Sequence, residues 1–387
     1  MANLKLDKFY QISPVISPGK IVQVGWGADS DGDVLEQFPP DRYQDAWHQF
    51  LFVPLDYGNY AIVCKNSGKV VSVSHRDNGD GRWIEQWDWL SDVNDQEAQH
   101  IKLNDTPNSG TYYFQFQHSG KYMAVSWRNS NDGNYMEQWQ FEGKDWQQFK
   151  VEELSNSITL PTATIKPRPV APDYTGTNIN ETLPESSEKA ITAASLVPFF
   201  MVDDPFYNDS ATQFNASPYY LLEKTEQWIR ISTNIVSPGD KIVYTRKVGI
   251  SEAHQTTMQS TVDMSLGVDI GLQFRALSGA LSANISTQLS MTESTTTTQM
   301  KEETITREIL NNADESDSFT IYQLETQFHL KRSDRSYVID PWAARFERDT
   351  VTRSYLQSIQ TTDNTLRAET SAELQKRLIN KKSYLRS

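Results

Sequence analysis

From residue 261 to 292 the chain reads TVDMSLGVDIGLQFRALSGALSANISTQLSMT, and its apolar side chains fall on alternate positions. Val262, Met264, Leu266, Val268, Ile270, Leu272, Phe274 and Ala276 hold the even places, with Asp263, Ser265, Asp269, Gln273 and Arg275 between them. After Leu277, Ser278 and Gly279 the phase flips, and Leu281, Ala283, Ile285, Leu289 and Met291 alternate with Ser282, Asn284, Ser286, Gln288 and Ser290. A period of two marks a strand with one apolar face. The pattern predicts two amphipathic strands joined by a Ser-Gly turn, a single long hairpin over about residues 258–292.

Strands of about 15 residues at roughly 3.3 Å each would run about 50 Å, whereas a membrane-crossing strand needs about 9 to 11 residues. The polar face, mostly Ser, Thr, Asn, Gln and Gly, suits the wall of a water-filled lumen. A lone hairpin in lipid would leave both edges unpaired, so only a closed barrel assembled from several copies could insert. Two readings stand at this point: a membrane-inserting hairpin of an oligomeric β-pore, or a long half-buried hairpin in a soluble β-domain.

The first 150 residues carry a threefold repeat. GKIVQVGWGADSDGDVLEQF from Gly19, GKVVSVSHRDNGDGRWIEQW from Gly68 and GKYMAVSWRNSNDGNYMEQW from Gly120 align without a gap. Each copy is too small to bury its own apolar face, so three four-strand units closing on a pseudo-threefold axis, a β-trefoil, are expected. Eight of the ten tryptophans fall here, some expected in the core and the rest as platforms on which sugar C–H faces stack. The repeat resembles the ricin-type lectin repeat, with closing segments at His48-Gln49-Phe50, Gln99-His100-Ile101 and Gln147-Gln148-Phe149. In that family an Asp and a Gln hold the sugar; here Gln23, Ser72 and Ala124 stand at the first place and Glu36, Glu85 and Glu137 at the second.

The candidate carbohydrate-binding residues are therefore Ser72, His75, Asp80, Glu85 and Trp87 of repeat two, the first choice, and Trp127, Asp132, Glu137 and Trp139 of repeat three, the second. Gln23, Trp26, Asp31, Glu36 and Phe38 are the counterparts in repeat one. The alternative is that the Asp-Gly pairs are turns and the Glu-Gln pairs brace the scaffold through backbone bonds.

Residues 155–190 are rich in Pro, Thr, Ser and Asn and are expected to run extended over a surface, because proline cannot donate to a ladder. Beyond this linker come Leu196-Val197-Pro198, Val202-Asp203-Asp204-Pro205, Ser217-Pro218-Tyr219-Tyr220, Trp228 and Arg335-Ser336-Tyr337-Val338-Ile339-Asp340-Pro341-Trp342. These words, in this order, resemble the BinA/BinB-like Tpp insecticidal proteins of spore-forming bacilli. The resemblance implies an all-β chain, an N-terminal β-trefoil (ricin B-like) over 1–154 followed by an elongated aerolysin-like β-sheet pore-forming domain over 191–345. It also implies a crystal-protein origin, ingestion by an insect, activation by gut proteases, homo-oligomerisation on a membrane and insertion of the hairpin. A second toxin component is left open.

From residue 346 to 387 a basic tail follows, with SAELQKRLINKKSYLR in helical pattern. It is read either as a removable propeptide that blocks assembly or as a solvated basic helix.

The 387 residues carry a formal charge of −14 and a sequence pI near 4.9, with no basic stripe to neutralise phosphates, which argues against nucleic acid. Cys64 alone cannot form an internal disulfide and reads as a small buried side chain. The MANLKLDKFYQI start lacks a signal-peptide core, and no run of about 18 apolar residues occurs. The expectation is a soluble or crystalline inclusion protein that acts outside the cell on host membranes.

An enzyme is not expected. Asp203-Asp204 is the tempting carboxylate pair, but neighbours on a strand point to opposite faces. No metal-ligand spacing or phosphate-binding loop occurs, and no cofactor is expected. The remaining competitor is a plain lectin or adhesin.

Overall fold

A computed structural model describes residues 4–40, 46–90, 92–274 and 279–358. Residues 8–157 form a twelve-stranded β-trefoil in which each repeat contributes a hairpin: Ile21–Val24 with Leu35–Phe38, Val70–Val73 with Arg82–Trp87, and Tyr122–Val125 with Asn134–Trp139. The last strand of each hairpin bonds the next across the axis, Trp83 opposite Glu137, Tyr135 opposite Glu36 and Val34 bridging to Glu85. Its core is Phe50, Phe52, Phe114, Phe116 and Phe149 with inward Val, Ile and Met; Trp146 packs against it half-buried, and among the described residues no tryptophan is fully buried in it. The expectation of core tryptophans thus holds only for this one packed at the margin. Strand alternation already supplies β-branched and phenyl groups to fill a narrow barrel, and the bulkier indoles are left on its periphery. Cys64 is buried, as read, and burial pushes its thiol above the usual range.

The three repeats are tied to one another by the Gln of each Glu-Gln pair. Gln37 donates to the carbonyls of Asn129 and Asn131, Gln86 to Ala28 and Ser30, and Gln138 to Asp77 and Gly79. Each is fully buried and accepts from a serine hydroxyl, Ser17, Ser67 or Ser119. These contacts satisfy loop carbonyls that water cannot reach.

After the trefoil, residues 158–185 lie along the second domain. Ala171, Tyr174 and Leu183 pack on Tyr322, and the indole of Trp228 donates to the Pro169 carbonyl at 2.8 Å. The second domain is a six-stranded antiparallel sheet in the order Ala190–Pro198, Tyr219–Val236, Asp317–Lys331, Trp342–Ser354, Lys241–Ile250, Glu303–Leu310. Its central pair runs in register from Leu221 opposite Lys331 to Val236 opposite Asp317. At about 3.3 Å per residue this 18-residue strand extends about 60 Å. Residues 346–354, assigned from sequence to the tail, continue the sheet. Trp342, Ala344 and Phe346 alternate inward, Arg345 pairs with Glu325, and Arg353 stands 3.3 Å from Asp173. The tail beyond 358 lies outside the described residues.

Asp203-Asp204 lies in a turn after Phe199–Met201, not on a strand. Asp204 is buried and held by both arms of Arg332 at 2.7 Å and by the Tyr220 hydroxyl at 2.8 Å. Despite the penalty of burial, these partners keep its carboxyl below the usual range. Asp204 is a structural anchor, whereas Asp203 is exposed.

Candidate functional site

Two regions are candidates for function, the stretch 252–291 and the hairpin face of the trefoil.

The expected long hairpin is not present in this protomer. Glu252–Val262 is a helix capped by Ser251, Met264–Leu266 pairs with Leu272–Phe274, and Gly279–Gln288 is a second helix. Ala276 and Ser278 of the expected turn lie outside the described residues. The physical reason is a second periodicity in the same letters. Leu281, Ile285 and Leu289 are spaced i, i+4, i+8 along the second helix and the turn that ends it, while Gln255, Met258 and Val262 are spaced i, i+3, i+7 in the first helix. An extended hairpin would leave its apolar face in water; the two helices and the short strand pair between them bury it.

Val262, Met264, Leu266, Leu272, Phe274, Leu281, Ile285 and Leu289 are all buried in one cluster. That cluster also contains Phe9, Leu51, Val53 and Val63 of the trefoil and Leu222, Phe328 and Trp342 of the sheet. Ile270 and Met291 pack at its margin and Ala283 is half-buried, but Val268 is 51% exposed. Polar ties fix the segment. Ser195 Oγ meets Gln288 Oε1 at 2.8 Å, Gln255 bonds both backbone groups of Leu266, and the Trp342 indole donates to Thr257 at 3.0 Å. The hydroxyls of Ser265 and Ser286 are buried without a hydrogen-bond partner among the described residues.

In the trefoil, the structure changes which residues stand together. The aspartates do not complete their own repeat's pocket. Asp31 pairs with Lys69 at 2.8 Å, Asp80 with Lys121 and Asp132 with Lys20, each binding the lysine of the next repeat in a closed ring. Asp31 also accepts from the Asp88 amide and Asp80 from the Gln140 amide, both at 2.9 Å. The Asp-Gly loops accordingly cover the neighbour's pocket. A Cβ placed on Gly32 would lie 3.7 Å from Trp87, on Gly81 3.7 Å from Trp139, and on Gly133 3.7 Å from Glu36.

Each pocket thus combines the Glu of one repeat with the Asp-Gly loop of the preceding one. Cross-strand registers place Gln23 opposite Glu36, Ser72 opposite Glu85 and Ala124 opposite Glu137. Gln23 donates to Glu36 at 3.1 Å. Trp26, His75 and Trp127 cap the hairpin loops, all at positive φ, with Trp26 93% exposed.

The pockets differ in one neighbouring residue, Gly27, Arg76 or Arg128. Arg128 lies 4.0 Å above the Trp139 ring and donates to Glu137 at 2.6 Å, so repeat three is filled by its own side chain. Burial still leaves Glu137 above the usual carboxylate range. In repeat two Arg76 covers Trp87 at 5.0 Å, and burial pushes Glu85 up to about 7 against the opposing effect of Arg76.

Among the described residues, repeat one has no such cover. Gly27 sits so tightly on Trp47 that a Cβ would come within 2.5 Å of the ring. A cavity of about 510 Å³ opens there, lined by Gln23, Trp26, Glu36, Phe38, Trp47 and His48 with Pro39, Pro40 and Gly133. A buried carboxylate, an amide and several aromatic faces around such a volume can fix hydroxyls and stack on a sugar ring. Sequence reasoning ranked repeat two first and omitted Trp47; the Gly27, Arg76, Arg128 difference was visible but unweighed.

The profile of the family described as "Insecticidal Crystal Toxin, P42" matches residues 191–346, and the ricin-type beta-trefoil lectin domain-like profile matches residues 4–87 and 97–167. The chain is 26% identical to the binary larvicide subunit BinA of Lysinibacillus sphaericus over 79% of this chain and 80% of that protein. It is 30% identical to the subunit BinB of the same organism over 45% of this chain and 38% of that one. The crystal structure of Cry35Ab1, an insecticidal crystal protein of Bacillus thuringiensis, superposes with a TM-score of 0.73 at 21% identity, covering 91% of each chain.

Proposed function

We propose that this chain, which belongs to the BinA/BinB-like Tpp insecticidal toxin family, docks on membrane glycans through its trefoil and then releases residues 252–291 to join a β-barrel pore built from several copies. It acts outside the producing cell, on host cell membranes. The observation that carries the reading is the buried apolar stripe, stored partly in two helices and partly as a short strand pair although its letters alternate with strand period.

Docking raises local concentration, so that weak contacts between copies suffice to close a ring. Hydrocarbon and protein core shelter large apolar side chains about equally, at roughly 1.5 to 3 kcal/mol each, so burial alone does not favour either state. The difference lies in the polar register. Ser265 and Ser286, unpartnered in the protomer, fall on the face that would meet the aqueous lumen, and a buried hydroxyl left unpaired costs about 1 to 3 kcal/mol. A closed barrel also pairs every backbone group of the segment.

The test uses Val268, exposed in the protomer yet on the lipid-facing register of the hairpin. Val268→Asp is expected to fold and bind glycans normally while dye release from vesicles bearing a receptor glycolipid falls at least ten-fold. Undiminished release would remove the segment from the mechanism. A lectin or adhesin without pore activity would agglutinate the vesicles and leave the dye inside.

A further inference from the structure

The second repeat holds a guanidinium whose donors are incompletely used. Arg76 lies over Trp87, as Arg128 lies over Trp139, but it lacks the short bond to the pocket glutamate that Arg128 makes. Its Nε is buried with no hydrogen-bond partner among the described residues, and Asp95 stands at the edge of ion-pair range, 4.0 Å away. The Arg76 side chain is 29% exposed, so part of it remains open to a ligand.

Around it, Ser72 is buried opposite Glu85, and His75 holds the loop tip at φ 59. Glu85 is itself held near neutrality by burial and by the Asp31 charge, so at neutral pH it only partly offsets the guanidinium. Asp31 in turn is engaged by Lys69. A neutral hexose finds the Trp87 face already covered. An oxyanion finds a guanidinium that is partly exposed, a group matched to carboxylate binding.

We propose that repeat two binds an acidic sugar, its carboxylate or sulfate ester held by Arg76, as a second subsite distinct from the open cavity of repeat one. The inference rests on the reading of the trefoil as glycan-binding. One arm of such a ligand carries the anion to Arg76, and the remainder of the sugar lies against the Trp87 and His75 edges. The two repeats would then select different sugars, one neutral and one charged.

Isothermal titration of the full chain with sialyllactose, a glucuronic-acid disaccharide, a sulfated galactoside and neutral lactose separates these possibilities. At least one acidic probe is expected to bind, with affinity at least ten-fold lower in Arg76→Gln and partly restored in Arg76→Lys. The carboxylated and sulfated arms identify which oxyanion is preferred. The proposal is overturned if acidic probes bind no better than lactose, if Arg76→Gln leaves their binding intact, or if Trp26→Ala abolishes it. Failure of the repeat-one reading would look different: neutral-sugar binding, if any, would be indifferent to Trp26→Ala.

Discussion

At the scale of single residues, one position decides which trefoil pocket is open. Gly27 leaves space where Arg76 and Arg128 reach across an indole, and it is the contact with Trp47 that excludes a side chain there, since Arg76 and Arg128 adopt a similar positive φ at the same place. Trp26 beside it is nearly free of the protein, so its removal changes little in the fold. Trp26→Ala is expected to weaken neutral-glycan binding about ten-fold, read by glycan array or titration, with Tm unchanged. A loss of roughly 1.4 kcal/mol corresponds to that factor. The residue types of this pocket were legible in the repeat, but their grouping was not. Sequence alignment places Asp31 with Glu36, whereas the closed barrel places it beside Glu85, because a loop's neighbours are set by the axis and not by the chain.

At the scale of elements, a strand period spans 262–291, and from 281 onward a helical period coincides with it. The strand period was easy to see since it runs unbroken through eight even positions. The helical period was hidden inside it, Leu281, Ile285 and Leu289 being common to both. Which period wins depends on what lies opposite: the sheet and trefoil reward a helix, and neighbouring copies in lipid would reward a strand. Joining Ser195 to Gln288, whose side chains touch at 2.8 Å, should hold the segment in its stored form. Ser195→Cys with Gln288→Cys, oxidised, is expected to abolish dye release, and reduction to restore it. Release that persists in the oxidised double variant would show that the second helix does not move.

At the scale of the whole molecule, two large cores are visible, one inside the trefoil and one shared by trefoil, stored segment and sheet. The trefoil was readable because the repeat has no gaps. The second core was not, since it joins Phe9 to Phe214 and Trp89 to Phe200 across more than a hundred residues. The same applies to residues 346–354, whose charges masked an alternating inward face.

The central ladder carries a titratable weak point. His329 is buried, with Nε2 3.0 Å from Thr225 Oγ1 and its ring 5.8 Å from that of Tyr337; burial, Lys189 and Lys331 push its pKa down to about 4. Because the unfolded value is near 6.5, the folded state holds the neutral ring more strongly than the unfolded chain does. Its contribution is complete above about pH 6.5 and is lost as pH falls towards 4. Tm is expected to drop through that window, and His329→Gln to flatten the drop; identical profiles would place the acid sensitivity elsewhere.

The ring of ion pairs Asp31 to Lys69, Asp80 to Lys121 and Asp132 to Lys20 makes every pocket a joint product of two repeats. Transplanting one repeat into a related trefoil would therefore carry half of its own binding site and half of its neighbour's. Specificity would be inherited across the seams, so a chimera that preserves a recognition surface must be cut through the middle of repeats, not between them.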